Sequence, residues 1–267
     1  MRIKPIIVII IGMILLTGCT SLAEEFARKA TELNMTREVV TGSRFQHVLY
    51  TKTGRSAKTL HVYLDGDGTP WIAGRPTDDP TPRNPMVLRL MSLDSAHSVY
   101  VGRPCYHGLQ GTNGCSTRVW LQDRYSKEVV DSLVSVVVKL LDQEGYEKIA
   151  WFGHSGGGAL AVLLASRFPQ TSSIVTVAAN LDLVAWSDYT GQDELNTSLN
   201  PASLSSLPRQ VRQRHYAGAK DAIVPPALMS KAVKHLGSEI IIIGNFDHVC
   251  CWENLWPSIL EELAEQT

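Results

Sequence analysis

Glu147-Lys148-Ile149-Ala150-Trp151-Phe152-Gly153-His154-Ser155-Gly156-Gly157-Gly158-Ala159-Leu160-Ala161-Val162-Leu163-Leu164-Ala165-Ser166-Arg167-Phe168 is the most informative run of this chain. Residues 147–152 form a short apolar run that predicts a strand. Residues 159–168 are good helix formers, and Pro169 stops them. Between them stands Gly-x-Ser-x-Gly. A strand that turns directly into a helix needs a very tight bend, and only small residues fit beside it. The bend lifts the Ser155 hydroxyl above the sheet edge. The pentapeptide alone reads equally well as a glycine-rich strand-to-helix turn with no chemistry, so the flanking chain has to decide.

Strand and helix signals alternate on both sides of this run. Upstream, Phe45–Tyr50 and Thr59–Leu64 alternate like a pair of strands turned at Gly54. Pro82–Leu93 predicts a helix and Ser98–Val101 a strand. Asp123–Glu144 carries Val129, Val130, Leu133, Val136, Val137, Leu140 and Leu141 at helical spacing. Downstream, Ser173–Ala179 is a continuous buried strand. Residues 182–210, rich in Ser, Asn, Asp, Gly and Pro, read as a long irregular excursion. Arg212–Ala217 and Glu239–Ile243 are strands, and Ala227–Leu236 and Glu253–Ala264 are helices. Strands alternating with helices imply an α/β fold: a mostly parallel central sheet with helices on both faces. No Gly-x-Gly-x-x-Gly follows the first strand and no Walker A motif is present, so nucleotide chemistry lacks its usual signals.

The chain has 267 residues, 44% hydrophobic and 19% charged, with net charge −1. These values suit a globular domain with a full core and offer nothing to nucleic acid. The N-terminus differs from the rest. Two basic residues in Met1–Lys4 precede an apolar run from Ile6 to Leu16, the pattern of an export signal. Leu16-Thr17-Gly18-Cys19 then resembles a bacterial lipobox. That resemblance implies cleavage before Cys19 and lipid on its thiol. With Thr20 next, it points to a lipid-anchored protein of the cell envelope, at the outer membrane rather than the inner. The alternative is an uncleaved anchor, for which the apolar run is short. The domain organisation expected is a signal at 1–18, a lipidated cysteine and tether with a polar helix (Ala23–Leu33) at 19–42, and one domain at 43–267. Export leaves Cys105, Cys115, Cys250 and Cys251 in an oxidising compartment. Cys105 and Cys115 bracket a glycine-rich loop able to close a disulfide. The adjacent Cys250 and Cys251 pair with each other, stay reduced or cross-link elsewhere. A zinc site with His107 or His248 is a further alternative, without matching ligand spacing.

A serine hydroxyl is a poor nucleophile at neutral pH. It needs a base to take its proton and an acid to orient that base. In an open parallel sheet such groups stand on loops at the carboxyl ends of strands. Tyr216-Ala217-Gly218-Ala219-Lys220-Asp221-Ala222-Ile223-Val224-Pro225 follows one strand, and Gly244-Asn245-Phe246-Asp247-His248 follows the last. The Gly-x-Ser-x-Gly turn, the Gly-x-x-Asp-x-x-Val-Pro loop and the late Asp-His, in this order, resemble the α/β-hydrolase family over residues 43–267. The resemblance implies a serine hydrolase with Ser155 as nucleophile, Asp221 as acid and His248 as base, needing no cofactor and no metal. Asp182 and Asp247 are rival acids, and His154 reads as a packing or hydrogen-bonding residue.

An oxyanion hole supplies N–H donors to the developing negative charge. Gly156 offers one N–H. The family pattern puts the second in Leu64-Asp65-Gly66-Asp67-Gly68-Thr69-Pro70-Trp71, where Asp65-Gly66 stands in place of His-Gly, and so at Asp67. A carboxylate suits an anion site badly, so Asp65 and Asp67 are expected to point away or to pair with Arg75, Arg83 or Arg103. A plain acidic turn or a calcium-like loop is the competing reading, without an EF-hand pattern. The polar 182–210 stretch predicts no large lid. Trp71, Trp120, Trp186 and Trp252 are candidate pocket residues. The substrate expected is a carboxylic ester of modest size, with amide, thioester and peptide open. The other function class is a membrane-anchored binding or scaffold lipoprotein that keeps the fold without turnover.

Overall fold

The structure is a computed structural model that describes residues 20–55, 58–205 and 207–265. Cys19 and the segment 1–18, on which the expected lipidation and signal fall, lie outside the described residues. Among the described residues the strands are β1 (Thr36–Thr41), β2 (Gln46–Lys52), β3 (Thr59–Leu64), β4 (Trp71–Ile72), β5 (Arg75–Pro76), β6 (Ser98–Val101), β7 (Lys148–His154), β8 (Thr171–Val177), β9 (Arg212–Gly218) and β10 (Ile240–Ile243). The helices are α1 (Leu22–Glu32), α2 (Met86–Leu93), α3 (Thr117–Trp120), α4 (Lys127–Glu144), α5 (Gly156–Ala165), α6 (Leu183–Thr190), α7 (Pro226–His235) and α8 (Trp252–Glu265). Eight strands form one sheet in the order β1-β2-β6-β3-β7-β8-β9-β10, and β4 and β5 form a separate small ribbon. The β1–β2 and β2–β6 pairs are antiparallel; every pair from β6 to β10 is parallel.

Two expectations are corrected. First, β2 and β3 do not pair as a hairpin. β6 lies between them, with Leu49 opposite Val101 on one side and Val62 opposite Val99 on the other. All four β6 residues are buried. A strand covered on both faces and flanked on both edges satisfies its backbone groups completely, whereas alternation in sequence says nothing about which strand is the neighbour. Second, residues 21–42 are no tether, and the domain begins before residue 43. Ser21 and Glu24 form a reciprocal capping box at the start of α1. Phe26 and Ala30 of that helix are buried, and the Phe26 ring stands 4.6 Å from the ring of His107. β1 then adds an antiparallel edge along the whole of β2. Its residues are almost all exposed, so no apolar alternation announces it.

The core has two layers, one on each face of the sheet. α4, α5 and α7 cover one with Val129, Leu133, Leu160, Leu164 and Met229. α1, α2 and α8 cover the other with Phe26, Leu88, Trp252 and Trp256. Every residue of α5 is buried, which explains why it is apolar all round rather than striped. Burial of each large aliphatic side chain there stabilises the fold by about 1.5–3 kcal/mol. The 182–210 stretch, expected to be irregular, contains α6. Asp182 caps its start by accepting from the Ala185 N–H, and Gly191, at φ 66°, ends it. Caps and the buried Trp186, rather than an amphipathic stripe, define this helix. It is eight residues long, so no large lid covers the sheet. Among the described residues no helix is long and apolar enough to cross a membrane.

Candidate active site

The β7–α5 turn brings Ser155 to φ 52° and ψ −124°. A non-glycine residue in such a region costs on the order of 1–3 kcal/mol and persists only where its neighbours over-determine it. They do so here. The Ser155 N–H donates to Val177 O at 3.1 Å, and Ser155 O accepts from the N–H groups of Gly158 (2.9 Å) and Asn180 (3.1 Å). The glycines permit the approach. A Cβ on Gly157 would stand 2.1 Å from Leu64 O, and one on Gly156 would stand 2.1 Å from the Asp67 carboxylate.

Asp221 and His248 arrive from the loops after β9 and β10. His248 Nδ1 donates to Asp221 Oδ2 at 2.9 Å, and the Ser155 hydroxyl donates to His248 Nε2 at 3.0 Å. With Nδ1 carrying the hydrogen, Nε2 presents its lone pair to the serine. The Asp221 carboxylate is fully buried and its second oxygen accepts from the Ile223 and Val224 N–H groups, both at 2.8 Å. These bonds fix its orientation before the histidine arrives. The rival acids are occupied elsewhere. Asp182 caps α6. Asp247 accepts from the Val249 and Cys250 N–H groups, and these two bonds, that from Cys250 first, hold its carboxyl below the usual range. His154 turns away from the serine, and its Nε2–H donates to the carbonyl of His248 at 2.9 Å.

The loop after β3 closes the other side of the serine. A Cβ on Gly66 would lie 3.2 Å from Ser155 Cβ. Asp65 accepts from its own neighbour, the Gly66 N–H, at 2.8 Å. The Asp67 carboxylate pairs with Arg103 at 2.8 Å and Arg124 at 2.8 Å, and Tyr125 OH donates to it at 2.6 Å. Tyr106 OH donates to the Asp67 carbonyl at 2.9 Å. Burial pushes the Asp67 pKa up, but the two guanidinium groups and the Tyr125 hydrogen bond outweigh it, and the carboxyl is held below its usual range. Of the expected partners Arg103 is correct, while Arg75 and Arg83 make no ion pair with either aspartate. Arg124 escapes a reading of the sequence because it stands far along the chain; its one signal is an arginine on the short loop just before the Ser126 cap of α4.

Cys105 and Cys115 are joined by a disulfide that closes the loop after β6, and Cys250 and Cys251 are joined to each other. Among the described residues no group of three or more His, Cys, Asp or Glu side chains is placed to hold a metal ion. Ser155 and His248 lie on a cleft of about 390 Å³, with Asp67, Met86, Trp71 and Trp186 among its walls. Trp120 and Trp252, the other two tryptophans proposed for the pocket, are core residues instead.

The sheet order, the two helical layers and the strained turn after β7 define the α/β-hydrolase fold. A family profile described as alpha/beta hydrolase fold matches residues 111–212, a span that includes Ser155 and ends before Asp221 and His248. Among solved structures, an esterase from Pyrococcus furiosus is similar at 14% identity over 88% of this chain and 93% of that one, with a TM-score of 0.61. An α/β serine hydrolase without lid from Xanthomonas campestris is similar at 11% identity over 87% and 94%, with a TM-score of 0.57. Alpha/beta hydrolase domain-containing protein 10 from mouse is similar at 12% identity over 86% and 99%, with a TM-score of 0.61. No curated protein matches the sequence.

Proposed function

We propose that this protein is a serine hydrolase that cleaves a carboxylic ester through an acyl-enzyme. The observation that carries the reading is the unbroken line from Asp221 to His248 at 2.9 Å and from His248 to Ser155 at 3.0 Å, opening on a cleft. The names of the similar esterase and serine hydrolase agree with it. His248 Nε2 takes the Ser155 proton as Oγ attacks the acyl carbon. Asp221 keeps the imidazole oriented and stabilises the imidazolium. The Gly156 N–H, at the positive end of α5, and the Asp67 N–H bind the oxyanion; each such donor is worth about 10²–10³ in rate. The alkoxide leaves with the proton from His248. Water then attacks the acyl-enzyme with His248 as base, which regenerates the serine. A small cleft with largely apolar walls, Trp71, Met86 and Trp186 among them, fits an ester of modest size. The lipobox adds a lipid anchor at Cys19 and a place in the cell envelope, at the outer membrane. A panel of chromogenic acyl esters and matched anilides, run on the chain and on its Ser155→Ala variant, tests the proposal. Ester turnover that Ser155→Ala abolishes and a chelator leaves intact is the expected result. No turnover on any member would favour the binding-protein alternative.

A further inference from the structure

The mouth of the Ser155 cleft is apolar. Trp71, Ile223 and Val249 line the cleft and are also exposed, and Ile72 is exposed beside Trp71. Tyr189 joins them, its hydroxyl donating to Ala222 O at 3.3 Å. Each of these five side chains is between 43% and 52% exposed. Large apolar side chains gathered in one exposed place mark a surface that docks on something. Trp71 and Ile72 stand on the β4–β5 ribbon, whose tip is Ala73-Gly74 at φ 50° and 74°. A two-residue turn at positive φ suits the twist of two paired strands. All six residues from Trp71 to Pro76 are exposed, and a Cβ on Gly74 would meet nothing within 4 Å. The ribbon therefore stands off the body of the protein with its two largest side chains in water.

α1 begins at the same edge. Leu22 and Phe26 share a small cavity of about 190 Å³ with Pro82, Arg83 and Pro85, and Pro82 and Arg83 also line the cleft. The capping box of Ser21 and Glu24 fixes where α1 starts. Cys19 precedes Leu22 by three residues, a reach of at most about 11 Å. The chain therefore enters the domain beside the cleft mouth. Arg75, opposite Ile72 in the ribbon, and Arg83 are exposed, and neither forms an ion pair among the described residues. Tryptophan, tyrosine and arginine suit the boundary between lipid headgroups and acyl chains, because each joins an apolar body to a polar end.

We propose that this rim is the face on which the protein docks on a lipid bilayer, the one that, on the lipobox reading of Cys19, holds its anchor. Trp71 and Ile72 enter the boundary layer, and Arg75 and Arg83 meet the phosphates. A tether of about 11 Å leaves the domain little room to turn another face to the lipid. The cleft then opens toward the bilayer rather than toward bulk solvent. Docking itself needs none of the Ser155 chemistry.

Trp71 is its own probe, because the chain's other five tryptophans are 8% exposed or less. The full chain, made in a bacterial host, is reconstituted into vesicles of phosphatidylglycerol and phosphatidylethanolamine, with or without bromine on the acyl chains. Bromine should quench the tryptophan emission of the parent chain and leave that of Trp71→Phe unchanged. Ile72→Asp exchanges an exposed apolar side chain for a charge and should weaken the docking equilibrium, read as the quenched fraction, about ten-fold. Both residues are exposed, so neither variant disturbs the core. No binding to vesicles, quenching that survives in Trp71→Phe, or quenching unchanged in Ile72→Asp would overturn the proposal. Trp71 shielded from aqueous iodide yet untouched by bromine would overturn it in favour of a second copy of the chain over the rim. The mass of the N-terminal peptide reports the anchor separately. Quenching with an unmodified Cys19 keeps the docking and removes the lipobox reading; an acylated Cys19 without quenching does the reverse.

Discussion

Replacing Asp67 by asparagine keeps the shape of the loop after β3 and removes one negative charge from a cluster that holds two positive ones. Arg103 and Arg124 have side chains 4% and 5% exposed, and Asp67 is 17% exposed and touches both at 2.8 Å. With charge centres about 4 Å apart and an effective dielectric near 20, each pair attracts by roughly 4 kcal/mol before desolvation is subtracted. Removing one member of such a buried cluster leaves uncompensated charge and destabilises by about 3–5 kcal/mol. Asp67→Asn should therefore lower the unfolding free energy by about that amount at pH 7, measured by urea denaturation. The pH dependence carries the sign. The Asp67 pKa is depressed in the folded state relative to 3.8. Its contribution is present above the unfolded pKa and is lost as pH falls through the folded pKa. The gap between parent and variant should be constant from pH 7 to about 5 and narrow as pH drops below 3.8. A gap under about 1 kcal/mol at pH 7, or one that does not narrow in acid, would refute the reasoning.

Three further outcomes follow from the same contacts. Gly157→Ala places a Cβ 2.1 Å from Leu64 O and should lower the melting temperature and abolish ester turnover, whereas Gly111→Ala, with nothing within 4 Å, should change neither. His154→Ala removes the donor to the His248 carbonyl, so kcat on a chromogenic ester should fall about ten-fold with KM little changed; an unchanged kcat would contradict the positioning role. Burial holds the pKa of His47 and of His215 down from 6.5 to about 4. Both are neutral when folded and protonate more readily when unfolded, so stability is complete above pH 6.5 and declines as pH falls toward 4. His215→Gln should flatten that decline in a series of melts, and an equally steep decline would count against it.

The parts of the fold that are legible in the sequence are those where local pattern and tertiary role coincide. β7, the glycine turn and α5 are buried, and their composition says so. Ser155, Asp221 and His248 are recognisable because each stands on the turn or loop that follows a strand, β7, β9 and β10 respectively. What cannot be read there depends on long-range partners. β1 is a nearly all-exposed edge strand whose only reason to exist is β2. β6, between β2 and β3, is buried on both faces, with Val99 and Val101 on one and Tyr100 on the other, and a sequence pattern does not say which strands flank it. Arg124 reaches back to an aspartate in the loop after β3, and no spacing rule links the two. α6 is set by the Asp182 cap, in a stretch whose composition reads as loop.

Ser155 is the proposed nucleophile, and a fluorophosphonate probe tests that role most directly. Intact-mass and peptide mass spectrometry of the treated chain should find one phosphonyl adduct, on Ser155, and none in Ser155→Ala, with labelling slowed strongly in His248→Gln. Labelling that persists in Ser155→Ala, or an adduct mapped to any other residue, would contradict it.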